Sequence, residues 1–254
     1  MEKYRPIEKE IFHVHTYRCG HAEDADDYEY VEKAIKLGAA RIVFTDHAPF
    51  PGDPFGGRMS IESLHEYINE INKLKIRYEG DIQILCGLEI EYLPSFDEYY
   101  KSLKCMVGLD LLVLGQHFFE HEPGLYSFCF ENKSQIYVGL CDAIANGIRT
   151  GYFDVVAHPD RSFRKRKKWT EKEQEVAMKI VNAAIDTGSS IYLEKNYSSM
   201  KQKNYYRPEF WELFGNYKNI IYGYDAHSLK EIEEGFFVLL MSLSSLSIVV
   251  LNSF

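Results

Sequence analysis

Apolar runs of four to eight residues, each bounded by turn-forming or polar residues, recur along this chain at intervals that leave room for a helix between them. Seven such runs read as strands: IFHVH (11–15), RIVFTDH (41–47), IQILCGLEIEY (82–92), DLLVLGQHF (110–118), DVVAHPD (154–160), SIYLEKN (190–196) and NIIYGYDAH (219–227). Between the second and third, SIESLHEYINEINKLKIRY carries Ile61, Leu64, Ile68, Ile71, Leu74 and Tyr78 at the three-and-four spacing of an amphipathic helix. TEKEQEVAMKIVNAAIDTG opens on the capping pair Thr170 and Glu173 and stops near Gly188. Alternating strand and helix predicts a parallel α/β architecture. No Pro- or Ser-rich linker divides the chain and no internal repeat is visible, so residues 1–254 are expected to form one domain.

The ionisable residues give this pattern its chemistry. Six of the seven strands carry His, Glu or Asp at the last residue or the one before it, and SIYLEKN finishes with Asn196. In an α/β barrel the C-terminal strand ends converge on the face that carries the active site, so His13, His15, His47, Glu89, Glu91, His117, His158, Asp225 and His227 are expected there together. His13 and His15 are two apart, which on a strand points both the same way; Glu89 with Glu91 and Asp225 with His227 repeat the spacing. His21 follows in the loop. Seven histidines with Glu89 and Asp225 exceed the needs of one tetrahedral zinc, and two or three metals sharing a bridging carboxylate account for the count. Imidazole and carboxylate donors without thiolate suit zinc, iron or manganese, whereas calcium and magnesium prefer oxygen. His65 and His121 fall outside the strand-end pattern.

Composition narrows the partners. With 46% hydrophobic and 15% aromatic residues the chain can bury a large core, and a net charge of -9 disfavours a surface built to neutralise nucleic-acid phosphates. The basic run RSFRKRKKW (161–169) therefore reads as a loop that turns one or two arginines into the site. Five scattered cysteines, never in a CxxC pair, indicate neither a disulfide framework nor a zinc knuckle, and none has an arginine six places later, as a cysteine phosphatase needs. A reducing, cytoplasmic setting is expected, since MEKYRPIEKE is too polar for a secretory signal. Residues 236–254 run without a charge and are expected to form a buried helix and a closing strand, with a tail anchor as the alternative.

The ordered set HVH, GH, TDH, GLEIEY, GQHF, AHPD and DAH resembles the polymerase and histidinol phosphatase (PHP) family over nearly the whole chain. TDHAPFPGDPFGGRMSIESLHEYINEINKLK followed by ILCGLEIEYLP is similar to its monofunctional histidinol-phosphate phosphatase branch. The resemblance implies a distorted seven-stranded (β/α)7 TIM-like barrel with a trinuclear metal site. It places His13, His15, Asp225 and a bridging Glu89 at one metal, His117, His158 and Glu89 at a second, and His21, His47 and His227 at the third. Two departures stand out: Lys201, in NYSSMK, where the branch usually has an arginine, and Tyr224, in GYDAH, where serine is common, which would set a bulky ring beside the metals.

The implied reaction is hydrolysis of L-histidinol phosphate, a step of histidine biosynthesis, by in-line attack of a metal-bound hydroxide without a covalent phospho-enzyme. Glu89, Asp225 and His227 are the expected catalytic ligands, with Asp225 a candidate proton relay. Arg161, Arg164, Lys201 and Asn196 are expected at the phosphate. Glu91, with Asp53 and Phe55, is expected at the cationic ends of the substrate. Small-molecule phosphate esters are thus the expected partners, not nucleic acid or membrane. Another phosphomonoester (a nucleotide, a sugar phosphate or phosphotyrosine) and a non-catalytic PHP-like module are the alternatives.

Overall fold

The computed structural model describes residues 3–131, 133–188, 190–202 and 204–238, in two compact units. The first comprises residues 5–86 and 222–238. It holds β1 (Glu10–Val14), α1 (Asp27–Leu37), β2 (Arg41–His47), α2 (Leu64–Arg77) and the start of β3 (Gln83–Ile90). The second, residues 3–4 and 87–221, continues β3. It adds α3 (Asp97–Lys104), β4 (Leu111–Leu114), a hairpin of β5 (Glu120–Glu122) and β6 (Leu125–Tyr126), α4 (Ile136–Thr150) and β7 (Val155–Val156). After these come α5 (Glu171–Asp186), β8 (Tyr192–Asn196), α6 (Tyr197–Lys201), α7 (Pro208–Glu212) and β9 (Ile220–Gly223).

Seven strands form one sheet in the order β1-β2-β3-β4-β7-β8-β9, and β3 and β9 each run from one unit into the other. The pairs β1/β2, β3/β4, β4/β7 and β7/β8 are parallel. Beyond β9 the chain returns to β1: the Tyr224 N–H donates to the Phe12 carbonyl at 2.9 Å and the His15 N–H to that of Ala226 at 2.9 Å. The strand order is therefore cyclic, as the seven-stranded α/β barrel reading requires. All seven expected strands are present: β2 keeps its expected span, β1 is shifted by one residue and the other five are shorter; β7 keeps only two residues, and His117 and His158 lie beyond their strands.

The strands are apolar on both faces because helices cover a parallel sheet. Ile42, Val43 and Phe44 of β2 are wholly buried, each contributing about 1.5–3 kcal/mol by leaving water. Polar residues fix the strand starts in the first unit: buried Arg41 bonds Glu10 Oε2 at 2.6 Å and Gln83 Oε1 at 2.9 Å. α5 begins with the expected Thr170/Glu173 capping box, and α1 with an Asp26/Glu29 box, each worth about 1 kcal/mol. In residues 236–254 the helical expectation is met through residue 238, and the rest of that segment lies outside the described residues. Among the described residues no helix is long and apolar enough to cross a membrane.

Candidate metal centre

In the first unit, His13 and His15 reach Asp225 by a route that plain alternation does not give. β1 pairs Phe12 with Val43 and Val14 with Phe44, so His13 is a bulge residue, held at φ +72°. β1 ends at Val14, and His15 stands just past it. Their Nε2 atoms lie 3.8 and 3.3 Å from Asp225 Oδ1, and Asp225 is itself left-handed at φ +50°. Such conformations cost on the order of 1–3 kcal/mol for non-glycine residues and cluster where function demands them.

Four imidazoles then stack in this unit. The His15 ring lies 4.5 Å from that of His47 and 4.3 Å from that of His227, and His21 lies 4.7 Å from His227. The donor atoms of His13, His15 and Asp225, and of His15, His47 and His227, fall within 4.8 Å of one another in each group. Burial and then the neighbouring His47 hold the His15 pKa well below its usual value; burial also lowers that of His227, against the pull of Asp225. Neutral imidazole is the metal-binding form. His21 Nδ1 meets the Cys19 carbonyl at 2.9 Å and His227 Nδ1 meets that of Asp225 at 3.1 Å. A carbonyl only accepts, so both Nδ1 atoms carry a proton, and in neutral rings the Nε2 atoms carry lone pairs. These face each other at 3.0 Å, a contact that a shared proton or a cation between them would satisfy. Two imidazoles on one tetrahedral zinc would be separated by a similar distance, about 3.3 Å for bonds of 2.0–2.1 Å. The residues fit a metal.

Sequence reasoning missed Asp46, which organises these ligands. Its Oδ1 accepts the Thr16 N–H at 2.8 Å and its Oδ2 the Thr16 hydroxyl at 2.7 Å, pinning the residue after His15 to the residue before His47. Burial pushes its pKa up to about 6, with the Thr16 bonds opposing. Tyr224 is buried, and burial, with Glu10 at the start of β1, raises the pKa of its hydroxyl. Asp53 holds its own loop through the Ile61 N–H, and Phe55 packs edge-on against Phe50.

The second unit carries Glu89, His117 and His158. Glu89 Oε1 lies 3.0 Å from His158 Nε2 and 3.7 Å from His117 Nε2. Glu91, expected at the substrate, is buried and accepts from His117 Nδ1 at 3.0 Å, which turns Nε2 of that ring toward Glu89. Gly115 makes room for this carboxylate: a Cβ there would stand 1.9 Å from Glu89 Oε1. His158, at φ +34°, donates its N–H to Glu194 Oε2 at 3.2 Å, and the same oxygen takes the Asn196 amide at 3.3 Å. Glu194 also escaped sequence reasoning; its signal was a buried carboxylate two residues before Asn196.

Of the phosphate candidates, Arg161 donates to Ser199 Oγ at 2.9 Å and to Asn196 Oδ1 at 3.3 Å. Arg161 and Arg164 both sit over the Tyr205 ring, whereas Arg166 is tied to Glu173 and Lys201 is exposed with its ammonium over Tyr197. The basic run is thus a loop with two inward arginines. Beside His117, a pocket of about 160 Å³ is lined by Phe118, Phe128, Tyr137 and the cationic Lys133, Arg164 and Lys165. His65 and His121 are exposed and stand apart from these sets.

Comparison with known proteins agrees with this picture. The PHP domain family model matches residues 12–221. The histidinol-phosphatase of Bacillus subtilis is 36% identical over 120 residues, 44% of this chain and 45% of that protein. The matched segments span 44–59% of the length of the first curated relatives, about half. Among solved structures, a Listeria monocytogenes protein assigned to the histidinol phosphatases aligns with a TM-score of 0.72 at 20% identity, over 91% of this chain and 99% of that one. A histidinol phosphate phosphatase of Lactococcus lactis subsp. lactis, complexed with zinc, L-histidinol and phosphate, aligns at 0.65 and 19% identity, over 89% of this chain and 90% of that one. At these identities the likeness carries the fold.

Proposed function

This chain belongs to the PHP domain family, and from that premise we propose that it is a metal-dependent phosphomonoesterase acting on L-histidinol phosphate, releasing L-histidinol and phosphate. The observation that carries the reading is the pair of lone-pair nitrogens, His21 Nε2 and His227 Nε2, facing each other at 3.0 Å beside the His13, His15, His47 and Asp225 donors. The curated histidinol-phosphatase of Bacillus subtilis and the zinc-bound Lactococcus protein support the substrate and the metal class.

The full set is two or three divalent ions of zinc, iron or manganese. His13, His15 and Asp225 would hold one, His21, His47 and His227 another, and Glu89, His117 and His158 a further one. When bound, such ions supply a water that is nucleophilic near neutral pH and neutralise charge on the phosphoryl oxygens. The protein does the rest. Glu91 keeps the His117 proton on Nδ1, and Glu194 secures the strained His158 backbone. Arg161, oriented by Asn196 and Ser199, grips phosphoryl oxygens, with Arg164 beside it on Tyr205. Asp225 relays the proton that the leaving alkoxide needs.

A second reading keeps the chemistry and changes the ester. The pocket beside His117 is cationic and aromatic, and among the described residues no carboxylate lines it. That lining suits a leaving group with a further negative charge better than the ammonium of histidinol. Phosphate release from L-histidinol phosphate and from a panel of nucleotides and sugar phosphates, with metal content measured on the same sample, separates the readings. Preference for histidinol phosphate at two or three metals supports the first; preference for doubly anionic esters supports the second. Metal-loaded protein that hydrolyses none of them overturns both.

A further inference from the structure

A chain of hydrogen bonds that begins at a buried arginine runs between the imidazoles of the first unit. After β1 the chain makes a single 3-10 turn, Tyr17–Cys19, which Gly20 at φ +75° ends, so Arg18 stands midway in sequence between His15 and His21. Its side chain is only 8% exposed and forks onto Asp27, the first residue of α1, with Nη1 on Oδ1 at 2.6 Å and Nη2 on Oδ2 at 2.8 Å. The guanidinium also lies over the rings of Tyr17 and Tyr67, at 4.6 and 5.4 Å. Asp27 takes one proton of Nη1, and the other goes to the Thr16 hydroxyl at 3.0 Å.

The donors all run one way. A guanidinium cannot accept, so Thr16 Oγ1 accepts from Arg18 and turns its own proton to Asp46 Oδ2, 2.7 Å away. The Thr16 N–H serves the other Asp46 oxygen at 2.8 Å. Thr16 directly follows His15 and Asp46 directly precedes His47, so one arginine reaches the backbone at two of the imidazoles that stack together. Asp46 lies in none of the donor groups of the described residues, and its carboxylate is fully buried.

We propose that Arg18 is a positioning residue of the metal centre, acting through Thr16 and Asp46 on His15 and His47. This rests on the metal-site reading above and deepens it. Asp27 fixes the fork, and the fork fixes the direction of the Thr16 hydroxyl. Asp46, accepting at both oxygens, then ties the end of β1 to the end of β2 and keeps a buried negative charge one residue from His47. A lysine in this place would keep the positive charge without the planar fork that serves Asp27 twice and Thr16 once.

Zinc affinity of the full-length protein, measured by competition with a chromophoric chelator, tests the assignment without reference to turnover. Arg18→Leu combined with Asp27→Leu removes both buried charges and leaves neither unpaired. Circular dichroism should show the fold kept, while zinc binds roughly 10-fold more weakly. Arg18→Lys should give the same loss, and carries the test if the paired variant does not fold. Thr16→Val should lose roughly 10- to 100-fold, and Thr16→Ser, which keeps the hydroxyl, should recover most of it. Because Arg18 acts through that hydroxyl, Thr16→Val combined with Arg18→Lys should bind zinc no more weakly than Thr16→Val alone. Wild-type zinc affinity in a folded Arg18 variant, a serine variant as weak as the valine, or losses that add in the combined variant overturns the proposal; an arginine that serves only the fold gives the additive result. Wild-type protein that binds no zinc overturns the metal-site reading with it, while zinc binding that ignores Arg18 overturns this inference alone.

Discussion

His21 Nε2 and His227 Nε2 face each other at 3.0 Å from opposite ends of the chain, each ring already committed through Nδ1 to a backbone carbonyl. Neither ring can rotate without leaving an amide carbonyl, so the backbone holds the two Nε2 atoms face to face. His227 also belongs with His15 and His47, whereas His21 does not. His227→Ala should therefore lose more bound metal than His21→Ala, which metal analysis after dialysis would reveal; equal losses would contradict the shared role.

The same imidazoles set the acid limit of metal retention. Burial holds the His15 and His227 pKa values below the ordinary 6.5, so both stay neutral, and competent as ligands, into mild acid. Metal release on stepped acidification should then have its midpoint below about 6.5. Release centred above pH 7 would contradict the burial argument.

Much of this was legible in the sequence because strand periodicity and ligand chemistry are both local. RIVFTDH became β2 residue for residue, and every strand-end histidine expected at a metal stands near other potential donors of its own unit. The bulge at His13 was not legible, since it follows from how β1 pairs with β2 and from the return of residues 224–226. Asp46, Glu91 and Glu194 were misjudged or passed over for a related reason. A carboxylate beside a histidine reads as a ligand or a substrate contact, and only the fold shows that it bonds to Thr16, His117 or the His158 backbone.

Gly115 tests the Glu89 assignment without touching a ligand. It is not in the left-handed region, so alanine is compatible with its backbone, yet the added Cβ would overlap Glu89 Oε1. Gly115→Ala should displace the carboxylate, weaken metal binding roughly 10- to 100-fold and cut phosphate release by at least as much. The fold should persist, as judged by circular dichroism. Wild-type metal content in this variant would remove Glu89 from the metal centre.

Glu194 joins the His158 backbone to the Asn196 amide through one oxygen, and Asn196 in turn orients Arg161. Truncation should strand two buried donors, at about 1–3 kcal/mol, and loosen a metal ligand and a phosphate grip together. Glu194→Ala should raise KM and lower metal affinity at once. Glu194→Gln, which keeps an acceptor oxygen, should recover most of both. A glutamine variant as defective as the alanine would show that the charge, and not the hydrogen bonds, is what His158 needs.

Asp160 gives the fold its own pH dependence. It is fully buried; one oxygen accepts the Arg207 N–H at 2.9 Å and the Trp211 indole N–H at 3.0 Å, and burial outweighs these bonds to push its pKa up to about 6 from 3.8. The folded state thus holds this proton more tightly than the unfolded state does. The contribution is fully present below pH 3.8 and is lost as pH rises through about 6, a change on the order of 2–3 kcal/mol. Asparagine presents one carbonyl oxygen to both donors and cannot ionise. Urea unfolding of metal-free protein should therefore give a difference in stability, Asp160→Asn minus wild type, that grows between pH 4 and pH 6.5 and is flat above it. A difference that shrinks over that range would mean that Asp160 is ionised throughout, held by the Arg207 and Trp211 donors.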